Sequence, residues 1–253
     1  MMREFAADRI DSTNVAHTAA YLRQREEEMA RLFGHEFASD EPETRTLSGA
    51  LRWIYVNCEA DFAARPEANG GWPLHMNGSI NEIVNGENEV IYRYCGVDDE
   101  AAPCTAIAHP DGNTYIFFRR ELYGYSVLNL TTMEDFHYAP AESFVAGGET
   151  FILCTPHFDT RTRMLAVEGC IWAAPYSVML MDFAEPMHQA RQVDVNEYLT
   201  ADSDEYLPLD FVRWDEDALV VRSGYNAETF EEHVIPIAIC AQMLRRGAVD
   251  VDG

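Results

Sequence analysis

The feature of the sequence that most constrains the fold is an internal repeat with a period of about 50 residues. Two consecutive stretches carry the same features in the same order: Cys104-Thr105 and Cys154-Thr155, then His109-Pro110-Asp111 and His157-Phe158-Asp159, then Tyr125-Ser126-Val127 and Tyr176-Ser177-Val178. Weaker copies run from Asp210 to Val221 and from Thr44 to Gly96. A repeat of this period, with three or four strands in each copy, is typical of β-propeller blades.

Beyond Thr44 the chain is a succession of short β-branched and aromatic runs. The runs that read as strands are 51–58, 89–95, 114–118, 125–130, 150–154, 163–171, 176–183, 211–214 and 218–222. Turn dipeptides such as Asn77-Gly78, Asn85-Gly86 and Asp111-Gly112 separate several of them, and no long helical pattern intervenes. We predict an all-β, mainly antiparallel fold of propeller-like repeated meander sheets, with a β-sandwich or an irregular α+β fold as the alternative.

The segment 12–37 is the best helical candidate. Its apolar residues recur at helical spacing, and Ser12, Thr13 and Asn14 are possible N-caps, while Gly34 is placed to end the helix. We expect residues 1–43 to form this N-terminal helix and a linker, and residues 44–253 to form a single β-rich domain. Within that domain we expect an irregular loop over 59–74 and a short final helix over 237–246.

One turn carries a family resemblance. His109-Pro110-Asp111-Gly112, followed by Tyr115-Ile116-Phe117, resembles the Ser-Pro-Asp-Gly turn and following strand of TolB-like and WD-repeat-like β-propellers, with histidine in place of serine. Proline presets φ, aspartate bonds the following backbone and glycine accepts positive φ. The resemblance covers residues 97–240 and implies a blade-like architecture, and such propellers serve as scaffolds, binders and accessory domains of enzymes.

The charge of the chain excludes several partners and chemistries. It has 43 acidic and 18 basic residues, a formal net charge of −25, and every basic residue is an arginine. Such a surface repels nucleic acid and anionic membranes. Without a lysine ε-amino group there is no Schiff base and no P-loop lysine. We therefore expect no cofactor. Codon composition or a saline cytoplasm would also account for the acidic charge; if the charge is instead functional, we expect a basic protein or peptide partner.

The location follows from what the sequence lacks. No uncharged apolar stretch approaches the roughly 20 residues that span a bilayer, and acids at Glu4, Asp8 and Asp11 interrupt any signal-peptide core. The six cysteines include no Cys-x-x-Cys pair, which is typical of free thiols in a reducing compartment. We expect a cytoplasmic protein.

The sharpest candidate for chemistry is the pair of His-x-Asp elements. His109, Asp111, His157 and Asp159 could converge on a divalent metal or act as a general acid-base pair, whereas the alternative is that both elements only shape turns and strand ends. A zinc site of Cys154, His157 and Cys170 lacks the usual paired short spacings, so we predict no metal centre.

A second set has the composition of a binding surface. It comprises Arg119, Arg120, Tyr123, Tyr125, Trp172 and Tyr176. Arginine and large aromatic residues are enriched at protein-protein hot spots, although the same aromatics also fill β cores.

These features lead to a function hypothesis. We expect a non-catalytic interaction protein that binds a protein or peptide through an acidic and aromatic surface. The alternative is a metal-assisted or acid-base hydrolase that uses the two His-x-Asp elements, and a third reading is a β-domain that binds a small molecule through its aromatic residues.

Overall fold

The computed structural model describes residues 13–34, 37–62, 74–97, 102, 104–144, 148–172, 174–201, 206–224 and 230–246. In these ranges the elements are α1 (Ala19–Phe33), β1 (Ala38–Ser39), β2 (Glu43–Ser48), β3 (Leu51–Phe62), β4 (Leu74–Val84), β5 (Val90–Val97), β6 (Thr105–Ala108), β7 (Thr114–Phe118), β8 (Tyr125–Asn129), β9 (Asp135–Tyr138), a 3₁₀ turn (Ala141–Phe144), β10 (Ile152–Asp159), β11 (Met164–Cys170), β12 (Ser177–Asp182), β13 (Gln192–Asp194), α2 (Val195–Leu199), β14 (Leu209–Trp214), β15 (Ala218–Ser223), β16 (Glu231–Pro236) and α3 (Ile237–Arg246).

The strands form four antiparallel sheets. Sheet 1 has the order β1-β3-β4-β5 with β2 paired to β3, sheet 2 is β6-β7-β8-β9, sheet 3 is β10-β11-β12-β13 and sheet 4 is β14-β15-β16. Sheets 2, 3 and 4 are meanders, in which each strand pairs with the next one along the chain. The predicted all-β fold of propeller-like repeated sheets behind an N-terminal helix is therefore confirmed.

Each pair of neighbouring sheets encloses a core. In sheet 2 the run Tyr115-Ile116-Phe117-Phe118 is fully buried. Because successive side chains of a strand face opposite sides, Ile116 and Phe118 pack on Trp53 of sheet 1, whereas Tyr115 and Phe117 pack toward sheet 3. A third core joins sheets 3 and 4 and includes Cys240 and Leu244 of α3. Burial of both faces explains why the strands read as continuous apolar runs.

Helix α1 begins later than the sequence suggested. Its N-cap is Thr18, whose hydroxyl accepts a hydrogen bond from the Tyr21 backbone N–H, and Gly34 follows its last residue, as predicted. Asn14 instead ties the preceding segment to sheet 2, donating to the His137 carbonyl at 2.9 Å and accepting from the Ala139 N–H at 3.1 Å. The Asn14 amide is thus satisfied by the backbone of β9 and of the residue that follows it, without capping α1.

Strand β4 corrects the reading of Asn77-Gly78 as a turn. Gly78 lies inside the strand, opposite Cys58, and a Cβ atom at this position would lie 2.3 Å from the Leu32 side chain of α1. The glycine therefore marks a close approach of the helix to the sheet. The predicted turns at Asn85-Gly86 and Asp111-Gly112 are present, as is the final helix. Most of the loop expected over 59–74 lies outside the described residues.

None of the helices in the described ranges has the length and apolar character needed to cross a bilayer. The cytoplasmic location, and the division into residues 1–43 and 44–253, stay predictions.

Candidate functional site

The first His-x-Asp element shapes a turn between β6 and β7. The His109 side chain is 1% exposed and its Nδ1 lies 3.1 Å from Asp111 Oδ1. Asp111 accepts hydrogen bonds from the Asn113 N–H at 2.8 Å and the Tyr115 hydroxyl at 2.7 Å. Burial raises the pKa of Asp111, but the hydrogen bonds to Asn113, Tyr115 and His109 together outweigh it and lower the pKa to about 2. The carboxylate is thus engaged in local structure.

The second element is not equivalent to the first, because His157 and Asp159 lie within strand β10. His157 Nε2 is 2.9 Å from Glu168 Oε2, and its ring stacks on Phe211 of sheet 4 at 3.9 Å. Asp159 accepts from the Thr162 hydroxyl at 2.8 Å in the following turn.

The two elements do not form one site. The ring of Phe158 packs on His109, with centroids 5.6 Å apart. Since neighbouring residues of a strand face opposite sides, His157 points away from His109 and toward sheet 4. Among the residues that the structure describes, no group of three or more His, Cys, Asp and Glu side chains is placed to hold a metal ion.

The predicted binding residues separate into different environments. Tyr125 is 0% exposed and its hydroxyl accepts the Ala190 N–H, so it is a core residue rather than a surface residue. Arg119 is also buried, whereas Trp172 and Tyr176 are 61% and 51% exposed. Arg120 pairs with Asp135. A basic protein or peptide partner for this set stays a prediction.

Tyr123 lines a cavity between α1 and sheet 2. The cavity has a volume of about 150 Å³ and is lined by Tyr21, Gln24, Arg25, Glu28, Glu121, Leu122, Tyr123, Ala139, Ser143 and Phe144. Four of these residues belong to α1, and Gln24, Arg25 and Glu28 follow Tyr21 by three, four and seven positions, which places them on one face of the helix. The rest come from the β7–β8 connection and from the segment that follows β9.

Three titratable groups meet beside this cavity, and two of them, Tyr21 and Glu121, line it. The Tyr21 hydroxyl donates to Glu121 Oε1 at 2.5 Å and lies 2.6 Å from His137 Nε2. His137 Nε2 is 2.9 Å from the same Glu121 oxygen. Three mutual distances of hydrogen-bond length mean that protons are shared within one compact network. We call these three residues the Tyr-Glu-His cluster.

Ser126 extends the cluster inward. Its hydroxyl lies 2.7 Å from His137 Nδ1, so serine, histidine and glutamate follow one another as in a nucleophile-base-carboxylate triad. However, Ser126 is 0% exposed inside sheet 2. A substrate cannot reach it, and the hydroxyl therefore orients the imidazole ring instead of attacking.

Arg25 supplies the positive charge at the cavity wall. One of its guanidinium nitrogens lies 3.4 Å from Glu121 and 3.0 Å from Glu28, and another donates to the Arg120 carbonyl at 3.0 Å. Burial raises the pKa of Glu121, but the His137 hydrogen bond and the Arg25 charge outweigh it, so the pKa is lowered. Burial and the Glu121 charge raise the pKa of Tyr21 well above its usual value. The cluster therefore combines an ionised carboxylate with a protonated phenol.

Sequence reasoning missed the cluster because its members are distant in the chain. Tyr21 is separated from Glu121 by 100 positions and from His137 by 116. The available signal was the stripe of Tyr21, Arg25 and Glu28 on one helix face, which is more polar than a core-facing stripe requires.

Comparisons with known proteins found similarity among solved structures only. No protein-family model matches the chain, and no curated protein sequence matches it. Solved structures that are similar to the chain include a bifunctional GH43-CE protein from Bacteroides eggerthii, with 8% identity and a TM-score of 0.34. The match covers 79% of this chain and 24% of the Bacteroides protein. A GH43 protein BlXynB mutant from Bacillus licheniformis has 14% identity and a TM-score of 0.31, with 80% of this chain and 41% of that one covered.

This comparison corrects the expected function. Both solved structures are described as GH43 proteins, a class of glycoside hydrolases, and this finding stands against the expectation of a non-catalytic interaction protein. The propeller-like resemblance is supported, whereas the TolB-like or WD-repeat-like assignment is not confirmed. At these TM-scores no substrate or site residue is transferred to this chain.

Proposed function

We propose that the protein is an acid-base hydrolase for a small polar substrate, which binds in the cavity between α1 and sheet 2. The observation that carries the proposal is the Tyr-Glu-His cluster at the cavity wall, with distances of 2.5, 2.6 and 2.9 Å between its members. Titratable groups that perturb one another inside a cavity are the usual mark of acid-base chemistry.

Glu121 is the proposed base. Its Oε1 atom is held by Tyr21 and His137, its Oε2 atom lies 3.4 Å from Arg25, and the residue lines the cavity. The lowered pKa keeps the carboxylate ionised at neutral pH, although it also makes the group a weak base. Because His137 hydrogen bonds to the same carboxylate, a proton that Glu121 accepts can be shared with the imidazole ring.

The proposed reaction is the addition of water across a scissile bond. Glu121 removes a proton from the water, the resulting hydroxide bonds to the electrophilic carbon, and the proton is delivered to the leaving group as its bond breaks. Arg25 lies 3.4 Å from Glu121, so its guanidinium is placed to stabilise negative charge that develops on the substrate.

The test is a turnover screen with matched variants. Wild-type protein is incubated with small esters, lactones, amides and amidines, and hydrolysis is followed by proton NMR. Glu121→Gln preserves the size of the side chain and should reduce turnover by roughly 10²- to 10⁴-fold. The control Glu87→Gln makes the same change at an exposed turn and should leave turnover unaltered. Absence of turnover with every substrate class, or equal rates for wild type and Glu121→Gln, would overturn the proposal.

A further inference from the structure

We infer that the cavity is selective for a small organic cation, such as an ammonium or amidinium compound. The inference rests on the proposed function in that it assigns a substrate class to the same cavity.

Negative charge exceeds positive charge at this wall. Glu28 and Glu121 both line the cavity, against the single guanidinium of Arg25. Their side chains are 17%, 15% and 12% exposed, so all three interact with an occupant through little intervening solvent. His137 lies behind Glu121 and is not among the lining residues.

Hydrogen-bond acceptors also exceed donors. Arg25 already donates to the Arg120 carbonyl and contacts both carboxylates, and the Gln24 amide donates to Glu28 Oε1 at 2.8 Å. Each ionised carboxylate can accept about four hydrogen bonds, so acceptor capacity remains on Glu28 and Glu121. An occupant that brings only donors fits this wall, and an ammonium or amidinium group has donors and no acceptor.

Aromatic rings complete the environment. Phe144 and Tyr123 line the cavity with Tyr21, and the rings of Tyr21 and Phe144 are 5.9 Å apart. The faces of such rings attract cations, by about 0.5–1 kcal/mol at exposed sites and more where solvent is excluded. A wall of carboxylates beside aromatic rings therefore favours a cation over a neutral molecule of equal size.

The size of the cavity and the charge of the whole chain also favour a small cation. A volume of about 150 Å³ has room for about five water molecules, or for an organic molecule of similar volume. The net charge of −25 attracts cations and repels anions during the approach to the cavity. A small carboxylate or phosphate compound is disfavoured at both stages.

The experiment compares ligands of one shape and three charges. Butylammonium, butan-1-ol and butanoate are titrated into ¹⁵N-labelled protein, at an ionic strength of about 0.15 M so that the Debye length of about 8 Å screens distant charges. We expect butylammonium to bind with a Kd on the order of 1 mM, a value typical of ligands of this size. Its shift changes should map to the amides of Tyr21, Glu28 and Glu121. Butan-1-ol should bind at least about tenfold more weakly, and butanoate should not bind.

Two variants test the role of the carboxylates. Glu28→Gln should weaken butylammonium binding by roughly tenfold, equivalent to about 1.4 kcal/mol, while the exposed control Glu87→Gln should leave it unaltered. Butan-1-ol or butanoate binding as tightly as butylammonium, or no binding by any of the three, would overturn the inference.

The two proposals fail in different ways. Cation-selective binding without hydrolysis of any substrate would leave this inference standing and remove the proposed hydrolase. Glu121-dependent hydrolysis of neutral substrates, together with equal affinity for the three ligands, would do the reverse.

Discussion

Replacing Glu121 by glutamine should destabilise the protein at neutral pH and much less in acid. The side chain is 15% exposed and its carboxylate contacts Tyr21, His137 and Arg25. Glutamine has nearly the same shape as glutamate but no charge. Its NH₂ group would replace a carboxylate oxygen that now faces the hydrogen-bond donors around Glu121. Removing one member of a buried charge network typically costs 3–5 kcal/mol, and hydrogen bonds to charged groups are worth about 1.5–3 kcal/mol each. We expect the free energy of unfolding to fall by about 3 kcal/mol at pH 7.

The pH dependence follows from the pKa of Glu121 in the folded protein, which lies below the ordinary value of 4.5. An unfolded chain therefore takes up the proton before the folded chain does. The carboxylate stabilises the fold above the ordinary pKa, and this contribution is lost as the pH falls through the lowered value. Because glutamine does not titrate, the difference in the free energy of unfolding between wild type and variant should be smaller at about pH 2 than at pH 7.

Urea unfolding followed by tryptophan fluorescence measures the free energy of unfolding at pH 7 and at about pH 2. The matched control is Glu87→Gln, which should change this free energy by less than about 0.5 kcal/mol. A loss for Glu121→Gln that is the same at both pH values would refute the reasoning, because the ionised carboxylate would then contribute nothing specific. No loss at pH 7 would refute it as well.

Three further changes test the elements that build the site. Leu32→Ala removes a fully buried side chain of α1 and should lower the free energy of unfolding by about 2–5 kcal/mol in thermal or urea unfolding. Leu22→Ala on the same helix is the control: its side chain is 55% exposed, and the loss should be less than about 0.5 kcal/mol. Gly124→Ala adds a Cβ atom 2.0 Å from a carbonyl oxygen of β9 at φ +82 and should prevent folding or lower stability by at least about 3 kcal/mol. Gly112→Ala, at φ +92 with open space around it, should cost only about 1–2 kcal/mol of backbone strain, and equal losses at the two glycines would contradict the steric explanation. Tyr125→Phe leaves a buried backbone N–H without its acceptor and should cost about 1–3 kcal/mol by urea titration, a neutral result being the contrary outcome.

Local patterns were enough for two of the three named turns and for much of the strand content. Asp111-Gly112 forms a turn because its side-chain and φ preferences act within four residues. The same reasoning was wrong at Gly78, where the glycine serves the packing of Leu32 against sheet 1. Nothing within a few residues of Gly78 carries that information.

The candidate site also shows the difference between what local residue patterns predict and what tertiary packing decides. The two His-x-Asp elements share a sequence pattern, yet one is a turn and the other a strand with side chains on alternate faces, so no common site results. None of Tyr21, Glu121 and His137 was among the predicted site residues, although Glu121 directly follows Arg119 and Arg120 in the chain.

By itself, then, the sequence determined the repeated β architecture, the absence of lysine chemistry and the acidic charge of the chain, since these depend on composition and on periods of a few residues. The tertiary structure decided which titratable groups meet. Helix α1 packs across sheets 1 and 2, and only that packing brings Tyr21 within 2.6 Å of His137. Contacts of this kind depend on how distant elements pack together, which local residue preferences do not encode.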